Sequence, residues 1–75
     1  MKRYKKLNGD SGVSFYEEGR DFIKVRFNAG DMYLYTYKSV GSVAIKQMKL
    51  LAKKGKGLST FISRFVKDKY ELHWN

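Results

Sequence analysis

Hydrophobic and polar positions alternate along residues 22–37, FIKVRFNAGDMYLYTY, in two runs separated by a turn. Side chains on a strand point to opposite faces in succession. Ile23, Val25 and Phe27 therefore share one face, and Phe22, Lys24 and Arg26 the other. In the second run Tyr33, Tyr35 and Tyr37 oppose Met32, Leu34 and Thr36. Asn28, Ala29, Gly30 and Asp31 supply the turn, with Gly30 best able to take a left-handed conformation.

Two registers are compatible with this hairpin. A three-residue loop, Asn28 to Gly30 with a bulge at the glycine, sets Val25 against Tyr33 and makes the tyrosines core. A two-residue turn at Ala29 and Gly30 sets Val25 against Leu34 and leaves Tyr33 and Tyr35 beside Arg26 and Lys24 on a basic, aromatic outer face. Two-residue turns prefer Asn-Gly or a leading glycine, which favours the longer loop.

Upstream, residues 13–16 read as a short strand and 17–21 as a turn into the hairpin, giving a three-stranded antiparallel meander over residues 13–37. After Tyr37 the period becomes helical. Ser42 can cap a helix over residues 42–54 whose Ala44, Ile45, Met48, Leu51 and Ala52 form one apolar stripe. Gly55 stops it, with Lys53 and Lys54 in the last turn where the helix dipole favours cations. A second helix starts near Ser59, with Phe61, Ile62, Phe65 and Val66 buried. The tail alternates Tyr70, Leu72 and Trp74 with Glu71 and His73, and either adds to the sheet or folds back onto the helices. The fold class expected is α+β, with both helices packed on one face of the meander. Its core should contain Ile23, Val25, Phe27, Met48, Leu51, Phe61, Ile62 and Phe65.

Composition changes the picture mainly through charge. Sixteen Lys and Arg against seven Asp and Glu give a formal charge of +9 over 75 residues, which points to a polyanionic partner. Residues 1–10 carry Lys2, Arg3, Lys5 and Lys6 and read as a flexible basic arm ahead of a single domain at 11–75. No cysteine is present, so thiolate metal sites and disulfides are excluded, and His73 is the lone imidazole. Neither a metal site nor a cofactor is expected. The basic start is followed by no apolar run, so no membrane span or secretory signal is read, and a cytoplasmic location is expected.

Catalytic signatures are missing from the pattern. There is no nucleophile with a base, no pair of carboxylates at a useful spacing and no dinucleotide fingerprint. Gly55-Lys56-Gly57-Leu58-Ser59-Thr60 lacks the upstream glycine and the Gly-Lys-Ser order of a phosphate loop and reads as a helix stop. A non-enzymatic protein is expected.

Tyr33-Leu34-Tyr35 after a strand and glycine turn, then Val40, then a helix ending Ala52-Lys53-Lys54-Gly55-Lys56, then Ile62, together resemble the KTSC domain. That small family is named for a C-terminal extension of some lysyl-tRNA synthetases and also occurs alone in bacterial and phage proteins. The similarity covers residues 11–70. The chain departs from the family pattern at Gly41, where a proline is usual, and at Lys53, where a serine is usual, and Phe15-Tyr16-Glu17 matches loosely. The resemblance implies a compact α+β domain without catalysis and with presumed nucleic-acid binding.

The expected function is a basic module that contacts RNA or DNA phosphates. Lys46, Lys49, Lys53, Lys54 and Lys56 form its main patch, extended by Lys24, Arg26 and Lys38, while Tyr33 and Tyr35 serve base stacking if the shorter turn holds. A lysine row of this kind is equally the signature of a solvated helix face. The alternative, from another class, is a small interaction protein, phage-encoded or not, that forms a homo-oligomer and blocks a host protein or captures a nucleotide signal.

Overall fold

The computed structural model describes residues 1–6 and 12–75. Among the described residues, five antiparallel strands lie in chain order: β1 (Lys2–Arg3), β2 (Val13–Glu18), β3 (Phe22–Phe27), β4 (Met32–Thr36) and β5 (Leu72–Trp74). Between β4 and β5 run α1 (Tyr37–Val40), α2 (Ser42–Lys54), α3 (Leu58–Phe61) and a π-helical segment, Ile62–Val66. The fold is α+β, and the expected three-stranded meander is the centre of a wider sheet.

The central hairpin takes the three-residue loop. The Phe27 N–H donates to the Asp31 carbonyl at 2.9 Å, and the Gly30 N–H to the Phe27 carbonyl at 2.9 Å. Gly30 has φ +98, a conformation that a Cβ disfavours. Val25 then faces Tyr33 and Ile23 faces Tyr35, so these four side chains share one face.

Strand β2 runs on to Glu18, two residues past the expected end, and carries a bulge: Val13 pairs with Phe27, but Phe15 pairs with Arg26. The extra residue, Ser14, breaks the alternation. Val13 and Tyr16 both turn inward, and Phe15 turns outward. On the far side of β2, Lys2 and Arg3 pair with Tyr16 and Phe15. The expectation of a free arm thus fails over these residues. Tyr4 anchors the edge: it is buried at 2% exposure, and its hydroxyl accepts the Leu58 N–H at 3.2 Å. Residues 7–10 of the expected arm lie outside the described residues.

Thr36 ends β4 and begins α1. Its Oγ1 accepts the Ser39 N–H at 3.0 Å while Ser39 Oγ accepts the Thr36 N–H at 2.9 Å, a reciprocal cap. That cap takes Tyr37 out of the strand in which alternation had put it. Gly41, at φ +90, separates α1 from α2, so Ser42 is the first helical residue and not the cap. Helix α2 keeps its expected span and ends at Gly55, which is left-handed and donates to the Leu51 carbonyl at 3.0 Å.

Ile45, Met48 and Ala52 of α2 pack with Leu58, Ile62 and Val66 against Tyr4, Val13, Tyr16, Ile23, Val25 and Tyr35 of the sheet. Phe27, Leu51 and Phe61 are partly buried around them. Phe65, expected in the core, is 63% exposed. The cause is the π-helical turn, closed by the Lys67 N–H on the Ile62 carbonyl. A turn closed at i to i+5 holds an extra residue, so Ile62 and Val66 line up on the inner face and Phe65 swings out. The tail resolves as a sheet strand, with Leu72, His73 and Trp74 opposite Leu34, Tyr33 and Met32.

Candidate functional site

The helices cover one face of the sheet, and the other carries two cross-strand rows. The first runs Arg3, Phe15, Arg26, Met32, Trp74; the second runs Glu17, Lys24, Leu34, Leu72. Phe22 and Thr36 lie beside the second row. Each residue stands on this face by the pleat, except Phe15 and Glu17, which stand there because the bulge shifts the phase of β2. Arg3, Arg26, Leu72 and Trp74 are exposed, and Phe15, Phe22, Lys24, Met32 and Leu34 are half-buried. Trp74 is 38% exposed and Leu72 56%.

Rings and cations are interleaved here. The Arg26 guanidinium lies over the Phe15 ring, 6.0 Å from its centroid, near the outer limit for a cation–π contact. Arg3 flanks Phe15 on the other side. At the β1 edge a concavity of about 420 Å³ is lined by Arg3, Tyr4, Lys5, Lys6, Ser14 and Phe15. Lys6 Nζ donates to Asn28 Oδ1 at 2.9 Å. A second hollow of about 300 Å³ is lined by Asp21, Phe22, Lys24, Leu34 and Thr36. Glu17, opposite Lys24, is the acidic member of the two rows.

The expected site residues separate into three groups. Lys24 and Arg26 reach the open face, as the alternation predicts. The α2 lysines do not join them, since α2 packs on the covered face through Ile45, Met48 and Ala52. Two of those lysines are engaged internally: Lys49 Nζ donates to the Gly19 and Arg20 carbonyls, and Lys53 Nζ lies 3.4 Å from Glu18 Oε1. Lys46, Lys54 and Lys56 are exposed, and Lys38 is exposed on α1.

The two tyrosines form the third group, and their role as stacking platforms is corrected. Tyr35 is 1% exposed and its hydroxyl donates to the Lys67 carbonyl at 2.8 Å. Burial, with smaller contributions from Tyr33, Tyr70 and Asp68, holds its phenol well above the usual tyrosine range. Tyr33 is half-buried, with the His73 ring stacked on it at 4.4 Å, the Phe27 edge at 5.3 Å and Tyr70 at 5.1 Å. The stacked His73 ring already covers one of its faces, and Phe27 and Tyr70 crowd the ring further.

Sequence reasoning missed Phe15, Phe22, Met32, Leu34, Leu72 and Trp74 as a group. For Met32 and Leu34 the signal was present: once the three-residue loop is chosen, they fall beside Lys24 and Arg26. For Phe15 no simple alternation could have found it. Among the described residues no group of three or more His, Cys, Asp or Glu could hold a metal ion, and no helix is long and apolar enough to cross a membrane. No family model matches the chain, and no curated protein or solved structure matches it.

Proposed function

We propose that the protein is a nucleic-acid-binding module that uses the uncovered face of its sheet. The observation that carries this reading is the cross-strand row in which Arg3 and Arg26 bracket Phe15 and Trp74 closes the far end. Arginines supply phosphate contacts, and the apolar rings between them offer surface that bases cover better than water does. The formal charge of +9 supplies the long-range attraction. The KTSC resemblance read from the sequence points the same way. Lys24 belongs to this interface, while Lys49 and Lys53 are held by their own chain and contribute field more than contact.

The experiment is the salt dependence of oligonucleotide binding. A Lys24→Gln, Arg26→Gln double variant should lower the slope of log K against log salt by about two units, one per lost phosphate contact. A Lys49→Gln, Lys53→Gln variant that still folds should leave the slope within about half a unit of the parent's. If the second variant loses more than the first, the interface lies on the helix flank and this assignment is wrong.

A second reading is favoured by the edge of β5, whose three residues are all exposed. In it, β5 pairs with another copy and the protein acts as an oligomeric interaction protein. Short edge strands bearing cations, such as β1 with Lys2 and Arg3, oppose edge pairing. A stable dimer by sedimentation, with no oligonucleotide binding at low salt, would establish this second reading over the first.

A further inference from the structure

Resting on the nucleic-acid reading above, we infer that the ligand is a single strand laid across the strands, with one base on Phe15 and another on Trp74. Phe15 and Trp74 stand at β2 and β5, three strand spacings apart in one row, roughly 14 Å at ~4.8 Å per spacing. Arg26 and Met32 occupy the two positions between them. Trp74 is 38% exposed, and Phe15 is half-buried with the Arg26 guanidinium 6.0 Å from its centroid, so a base stacks on Phe15 by sharing or displacing that cation. A duplex buries its base faces within its own stack. Only an unpaired strand offers both open bases and a flexible backbone to such a surface. The charge along the row selects the same occupant: Arg3 and Arg26 are positive, Trp74, Phe15 and Met32 are apolar, and the row contains no carboxylate. An acidic peptide would satisfy the arginines and leave both rings without a planar partner.

The chain has one tryptophan, so its fluorescence reports on Trp74 alone. Titration with oligothymidylate and with oligouridylate should quench it, whereas a blunt DNA duplex of equal length should bind more weakly and leave the emission largely unchanged. Phe15→Ala should weaken single-strand binding about 5- to 150-fold, the equivalent of one stacked base, and Phe15→Tyr should restore most of the loss. Should Phe15→Ala fail to fold by circular dichroism, Phe15→Leu keeps the apolar bulk without the ring and makes the same comparison. Equal binding of duplex and single strand, or salt-sensitive binding with unquenched Trp74, overturns the stacking inference while leaving the electrostatic interface standing. No binding of any oligonucleotide at low salt overturns both.

Discussion

The two faces of this sheet are built from the same strands, and alternate residues of β3 separate them completely. Ile23 and Val25 are fully buried beneath the helices, while Lys24 and Arg26, which alternate with them, face the other way. Both faces hold aromatic rings, yet the rings differ in what surrounds them. Tyr35 and Tyr16 belong to the buried core cluster, Tyr35 beside Tyr33 and Tyr70, whereas Phe15 lies under a guanidinium and Trp74 meets solvent. Burial sets the first pair to stabilising the fold. Trp74, exposed, and Phe15, half-buried at the surface, have less to contribute to folding free energy and keep ring surface for a partner. The contrast teaches that aromatic content alone does not locate a binding surface; the side of the pleat does.

Emptying one position on the covered face should have the largest effect. Ile23→Ala should destabilise the domain by about 2 to 5 kcal/mol, most of what a chain this small has to lose. Urea denaturation measures it, and an unchanged midpoint would mean that the helices do not cover β3. On the open face the pattern should invert: Phe15→Ala should lower stability by less than about 1 kcal/mol while removing about 1 to 3 kcal/mol of single-strand binding. Parallel melts and titrations of the same variant settle this pair of numbers.

Tyr35 gives a smaller effect with a definite sign. Its phenol is raised by burial, so the folded state holds the proton more tightly than the unfolded state, whose tyrosines titrate near ~10. The stabilisation is fully present below that value and is lost as pH rises towards the raised folded value. At neutral pH Tyr35→Phe should cost about 0.5 to 1.5 kcal/mol for the hydrogen bond to Lys67. Above roughly pH 10 the gap between parent and variant should close, as thermal melts across pH will show. Smallest of all, Lys54→Gln, on an exposed helix end, should change stability by less than about 0.5 kcal/mol and leave single-strand affinity within about twofold. A large loss of binding would place the ligand on α2.

Much of the covered face was legible in the residues. The three-residue loop at Asn28 to Gly30 followed from turn chemistry, and with it the inward placement of Ile23, Val25 and Tyr35. Helix α2 followed from its stripe and its glycine stop. The open face was harder to read because its key ring depends on the Ser14 bulge, which no local preference announces. Tyr4 was hidden for a related reason. A single ring among lysines has no periodicity, and the core it joins and the Leu58 amide it accepts from, more than fifty positions away, are remote in the chain. Phe65 misled because its stripe assumed a regular α-helical turn. At Thr36 and Ser39 the reciprocal cap was spelled out in the sequence, and the run of alternating tyrosines obscured it.

The contact between Tyr4 and Leu58 also bears on how the molecule opens. Leu58 begins α3, so its amide has no acceptor within the helix, and the Tyr4 hydroxyl fills that role at a buried position. Whenever β1 peels from β2, this donor loses its acceptor and must find water. Detachment of the sheet edge should therefore promote fraying at the start of α3. The hydrogen-exchange rate of the Leu58 amide should report that opening in the native protein.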